Sequence, residues 1–137
     1  MGNAEGEQAN GHDHDVVAKG PCRTIHFARE KNGNCPALEF YESLSKDEQA
    51  KALALFKRLA DSGSIHNREK FKKLEDGLWE FKPTSQVRFI GDFRPRGRFF
   101  VSLGVRKKKD RHSSSDLDRA RRILMENDER SQTGGKP

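Results

Sequence analysis

The chain has 137 residues, of which 35% are charged and 32% hydrophobic, and its formal net charge is +6. That length suits one domain with one core, and so high a charged fraction implies a thin core or unfolded ends. No run of eighteen apolar residues occurs, which excludes a helix spanning a bilayer, and the opening MGNAEGEQANGHDHD has neither the basic nor the apolar region of a secretory signal.

Residues 1–21 are mostly Gly, Asn, Asp, His and Glu and read as a disordered tail. Gly6 stands where a myristoylation pattern needs Ser or Thr. His12 and His14 flank Asp13, but two histidines on a polar segment are far more often solvated than metal ligands, so neither metal nor cofactor is expected. Cys22 and Cys35 form no C-x-x-C pair and read as free thiols of a cytoplasmic protein, the alternative being a disulfide.

The stretch RTIHFAR (23–29) alternates as a short strand with Ile25 and Phe27 on one face. Pro36 opens a short helix, PALEFYESL. Ser45 and Glu48 form the S-x-x-E signature that opens a second helix. Ala50, Leu53, Phe56, Leu59 and Ala60 mark its apolar stripe, and Gly63 supplies the stop. After the basic run HNREKFKKLEDG come three strands, at 78–82, 86–93 and 98–106, whose short links imply an antiparallel meander. Ser115 and Asp118 cap a closing helix with Leu117, Ala120, Ile123 and Leu124 on its apolar side. DERSQTGGKP, from 128 to 137, reads as a second tail. The expected architecture is therefore α+β: a domain over 22–127 built from an N-terminal strand, two helices, a three-stranded antiparallel meander and a C-terminal helix.

Charge is uneven along this order. From Arg68 to Arg111 there are fourteen Lys or Arg against six Asp or Glu, a balance of +8, while the remaining residues balance at −2. Concentrated positive charge points to a polyanionic partner, nucleic acid before acidic protein. Alternation assigns Trp79, Phe81, Val87, Phe89, Phe93, Phe99, Val101, Leu103 and Val105 to a face packed on the helices. Glu80, Lys82, Gln86, Arg88, Ser102, Gly104 and Arg106 fall on the other face. Antiparallel sheets commonly show water a polar face, so any one of these cations reads as solvated. Three of them beside the small Ser102 and Gly104 suggest instead a shallow trough able to hold a phosphodiester.

The segments KKLEDGLWEFKP, VRFIGDF, FFVSLGVRKKKD and DLDRARRIL, in this order, resemble the RelE/ParE-type toxin superfamily, and more closely its phage-derived HigB-like branch, over about residues 23–127. RelE-like enzymes are antitoxin-controlled endoribonucleases that commonly cut messenger RNA on the ribosome. Carried over by motif, the resemblance implies catalytic roles for Lys82, Arg88, Arg106 and Glu80, with His112 near the place where some HigB-like members use histidine. A tyrosine that RelE-like members often carry near the closing helix has no counterpart, since the sole tyrosine is Tyr41.

Such chemistry needs no metal, because RNA brings its own nucleophile. Arg88 and Arg106 would stabilise charge on the phosphorane, Lys82 or Glu80 would take the ribose 2′-proton, and His112 would donate one. Lys70, Lys72, Lys73, Lys107, Lys108, Lys109 and Arg111 would attract mRNA or the ribosome. The expected protein partner is a helix-turn-helix antitoxin bearing an acidic segment. Two rival readings stand beside this one. A double-stranded-RNA-binding module also runs helix, three strands, helix, but its last helix should open with lysines, and here it opens Ser115-Asp116-Leu117-Asp118. The other rival is a toxin-fold protein acting by protein contact, such as a gyrase poison.

Overall fold

Two helices, α1 (Pro36–Ser43) and α2 (Lys46–Ser62), begin where local chemistry starts them. Pro36 occupies the first turn of α1, where a missing N–H costs nothing. Ser45 caps α2 reciprocally: its Oγ accepts from the Glu48 N–H at 3.2 Å, while Glu48 Oε1 accepts from the Ser45 N–H at 3.0 Å. Gly63, at φ +81°, ends α2 in the left-handed region. The buried side of α2 is Ala52, Leu55, Phe56, Leu59 and Ala60. Ala50 and Leu53, expected in that stripe, face water instead. The four-residue steps 52–56–60 and 55–59 define the face that meets the sheet.

This computed structural model describes residues 15–74, 76–107 and 111–134. Among them are the strands β1 (Val16–Lys19), β2 (Thr24–Phe27), β3 (Phe71–Lys73), β4 (Trp79–Phe81), β5 (Val87–Arg94) and β6 (Arg98–Arg106), and a third helix, α3 (Ser114–Gly134). The sheet order is β1-β2-β6-β5-β4-β3. The fold is α+β, with the expected meander as its β4-β5-β6 portion. β2 pairs in parallel with β6, and every other neighbouring pair is antiparallel.

Four features of these elements depart from the sequence reading. β1 lies inside the range 1–21 that reads as a tail; its Ala18 is buried and it pairs with β2. Residues 1–14, with His12 and His14, lie outside the described residues. β3 emerges from the basic run, anchored by buried Phe71. α3 continues past 128, because Asp128 receives Arg94 of β5 in a bidentate pair, with Nε–Oδ1 at 2.9 Å and Nη2–Oδ2 at 3.0 Å. The α3 cap is also earlier than expected: Ser113 Oγ, rather than Ser115, accepts from the Asp116 N–H at 3.1 Å.

Both faces of the sheet are buried. On the α1–α2 side lie Ile25, Phe27, Phe56, Phe81, Val87, Phe89, Phe99 and Val101. On the α3 side a second core gathers Ile90, Phe100, Leu103, Ala120, Ile123 and Leu124. Each such side chain contributes roughly 1.5–3 kcal/mol on burial, so the face expected to be polar and open is instead a stabilising interface. One irregularity reverses the pleat. Ile90 pairs with Leu103 but Gly91 pairs with Val101, leaving Ser102 as a surplus residue in β6. A bulge of one residue swaps the faces of everything beyond it. Leu103 and Val105 therefore turn to α3, whereas Gly104 turns to α1, where a Cβ would meet Phe40 Cδ2 at 2.2 Å.

No helix among the described residues is long and apolar enough to cross a membrane.

Candidate functional site

Arg88 and Arg106 do not share a trough. Across β5 and β6, Arg88 pairs with Val105 and Arg106 with Val87. Directly paired residues project to the same side, so Arg88 lies with Val105 toward α3 and Arg106 lies with Val87 toward α1 and α2. The bulge at Ser102 is the cause: without it, residues 101, 103 and 105 would have stayed on one face. The depression expected over Ser102 and Gly104 is absent too, since Ser102 is fully buried with its Oγ donating to Ile90 O at 3.3 Å.

Arg106 has a partner of its own. Its Nη1 and Nη2 donate to the two carboxylate oxygens of Glu48, each at 2.8 Å. Glu48 is the residue that completes the α2 cap, so this fork fastens the end of β6 to the start of α2. The guanidinium, followed by the Ser45 N–H, holds the Glu48 carboxyl down to about 2. Glu48 in turn raises the Arg106 guanidinium above its ordinary value.

On the α3 side, three of the expected catalytic residues do meet. Glu80 is 2% exposed, Arg88 1% and His112 7%, so none presents its functional group to bulk water. Glu80 Oε2 takes a hydrogen bond from His112 Nε2 and lies 3.5 Å from Arg88 Nε. A carboxylate only accepts, so Nε2 carries the proton of this contact. His112 Nδ1 is buried with no hydrogen-bond partner among the described residues. Arg88 Nη1 donates to Ser85 O at 2.7 Å and to Thr84 O at 3.3 Å. Thr84 Oγ1 accepts from the Val87 N–H at 3.0 Å, so Arg88 and Thr84 together tie down the turn between β4 and β5. The His112 hydrogen bond and the neighbouring Arg88 guanidinium offset the desolvation that burial of Glu80 costs.

Around this cluster the exposed charges are spread unequally. Lys72 pairs directly with Glu80 across β3 and β4 and so shares its face. Lys82, two residues beyond Glu80, is half-buried. Lys73 and Arg111 are exposed; Lys107 is half-buried, 3.7 Å from Asp116. Lys70 lies apart from the cluster, beside α2. Lys108 and Lys109 lie outside the described residues. Both cysteines are free, Cys22 exposed and Cys35 buried. Burial pushes the Cys35 thiol up.

Sequence reasoning missed the Glu48–Arg106 fork and the attachment of Arg88 to the 84–85 carbonyls. No periodic signal relates positions 48 and 106, and alternation alone had placed position 106 on the wrong side. The pairing of Lys72 with Glu80 had a faint signal, since KFKK alternates as a strand does.

No curated protein matches the chain. A family model described as Phage derived protein Gp49-like matches residues 39–125, well over half the chain. The matched span runs from α1 through most of α3 and contains Glu80, Lys82, Arg88, Arg106 and His112 alike. With α2, β3 to β6 and the buried cluster all inside a match that covers well over half of its length, the chain belongs to the phage-derived Gp49-like family.

Proposed function

We propose that this protein is the toxin of a type II toxin–antitoxin pair, a cytoplasmic ribonuclease of the HigB-like kind whose target is messenger RNA, free or on the ribosome. The observation that carries the reading is the meeting of a carboxylate, an imidazole and a guanidinium on the α3 side of the sheet, with Lys72 on the same face. Family membership and the basic balance of residues 68–111 support it.

In this reading the ribose 2′-oxygen attacks the adjacent phosphorus and the bond to the 5′-oxygen breaks. One proton leaves the 2′-hydroxyl and one is delivered to the departing oxygen. His112 Nδ1 takes the proton of the 2′-hydroxyl, with Glu80 fixing the ring through Nε2–H, and a water molecule gives the proton to the departing 5′-oxygen. Arg88 faces the charge that builds on the phosphorane, while Lys72 and Lys82 hold neighbouring phosphates. Arg106 takes no part in this chemistry, being on the far face and engaged by Glu48. Because the cluster is covered in the structure described, RNA engagement requires His112 to be uncovered.

The products would be a 2′,3′-cyclic phosphate and a 5′-hydroxyl. Purified protein is incubated with RNA, with and without translating ribosomes, beside a substrate carrying 2′-deoxyribose at the scissile position. Resistance of the deoxy substrate is expected; its cleavage at the normal rate excludes this chemistry.

The burial of Glu80, Arg88 and His112 favours a second reading, a toxin-fold protein acting by protein contact in the manner of a gyrase poison. Growth arrest with RNA left intact in both incubations selects that reading.

A further inference from the structure

Beside α2, on the opposite side of the sheet from the Glu80 cluster, is an open groove of about 570 Å³. Lys51, Ala54, Leu55 and Arg58 of α2 form one wall, and Lys70 with the 83–85 turn forms the other. Positions 51, 54, 55 and 58 fall on a single helical face. Their spacing puts two cations about 10 Å apart along the axis, with apolar side chains between them. Arg58 and Lys70 make no ion pair among the described residues, and Lys51 has only its helical neighbour Asp47, at 3.2 Å on the exposed surface. No aromatic ring lines the groove, which removes the stacking platform that single-stranded nucleic acid uses.

We propose that this groove docks an acidic, amphipathic helical segment of a partner protein, with carboxylates on Arg58, Lys70 and Lys51 and an apolar residue against Ala54, Leu55 and Pro83. The partner's pattern follows from the wall it meets: acidic groups seven residues apart, with leucines three and four residues after the first. The far lip of the groove is the 84–85 segment whose carbonyls accept from Arg88. Buried Arg88 thus supports a docking surface it does not line. The proposal does not depend on RNA cleavage, because the groove and the Glu80 cluster lie on different faces.

The test uses the full chain and a fluorescent sixteen-residue helical peptide carrying Glu at i and i+7 and Leu at i+3 and i+4. A charge-matched peptide with Ala at both Leu positions and a single-stranded RNA of similar charge serve as the other probes. Binding is expected for the Leu-containing peptide, at least about tenfold weaker for the Ala peptide, and weakened at least about tenfold by the exposed Arg58→Glu change combined with Lys70→Glu. Ion pairs at an open surface are screened, so affinity should also fall with added salt. Absence of peptide binding overturns the proposal, as does equal binding by the charge-reversed protein. RNA bound in preference to the peptide, with the same dependence on Arg58 and Lys70, overturns it too. Circular dichroism of the reversed protein, expected to match the unaltered chain, keeps loss of fold apart from loss of docking. RNA cleavage by the same sample reports separately on the ribonuclease reading.

Discussion

A methyl group at Gly104 would lie 2.2 Å from the Phe40 ring, so this glycine measures how closely β6 approaches α1. Gly104→Ala is expected to destabilise the fold by about 1–3 kcal/mol, the usual cost of overpacking. An unchanged denaturation midpoint would mean that Phe40 swings away freely. Arg88 presents the opposite problem, a charge whose removal leaves another behind. A purely catalytic Arg88, exposed in a trough, would let Arg88→Ala lose function with the fold intact; its burial against Glu80 and the 84–85 carbonyls argues otherwise. Breaking a buried pair by deleting one member typically costs about 3–5 kcal/mol, and chemical denaturation should register a loss of that order. A folded Arg88→Ala protein of normal stability would contradict it. The Glu48–Arg106 fork gives a pH signature. Glu48 titrates at about 2 in the folded protein, below its unfolded value of about 4.3. A depressed carboxylate contributes stability that is fully present above the unfolded value and is lost as pH falls through the folded one. Stability should therefore decline between about 4.3 and about 2 more steeply in the unaltered protein than in Glu48→Gln. Parallel acid profiles would remove the fork from the account.

At the level of elements, the capping box is the feature that sequence and structure share most directly. Ser45→Ala should lower stability by about 1 kcal/mol, with the change read from thermal melts. No shift in the melting temperature would mean that the Arg106 fork alone holds the start of α2. Both α1 and α2, the meander and the closing helix were legible because each has either a cap, a turn or a sustained period. β1 and β3 were not, since runs as short as Val16–Lys19 and Phe71–Lys73 disappear into the composition around them. The bulge at Ser102 left no trace at all. An inserted residue changes no residue type and breaks no turn, yet it exchanges Leu103 and Val105 for Gly104 and Arg106 between faces. That one residue is why a site drawn from strict alternation joined two arginines that lie apart. The cluster of Glu80, Arg88 and His112 was half legible: Glu80 and Arg88 fell on one face by alternation, but their burial beneath α3 depends on a helix whose placement no local pattern encodes.

Across the whole molecule, a sheet buried on both faces separates two regions. One is the closed Glu80–Arg88–His112 cluster under α3, and the other is the basic groove beside α2. Arg88 links them, reaching Glu80 with one part of its guanidinium and the 84–85 turn with another. In the proposed function this separation puts the chemistry on one face and partner docking on the other. RNA cleavage by His112→Gln and Arg106→Gln, each shown by circular dichroism to be folded, tests this division most directly. The account predicts that Arg106→Gln cuts RNA like the unaltered chain, whereas His112→Gln loses about 10²–10⁴-fold, as expected for a missing proton-transfer group. Full cleavage by His112→Gln together with loss in Arg106→Gln would contradict it.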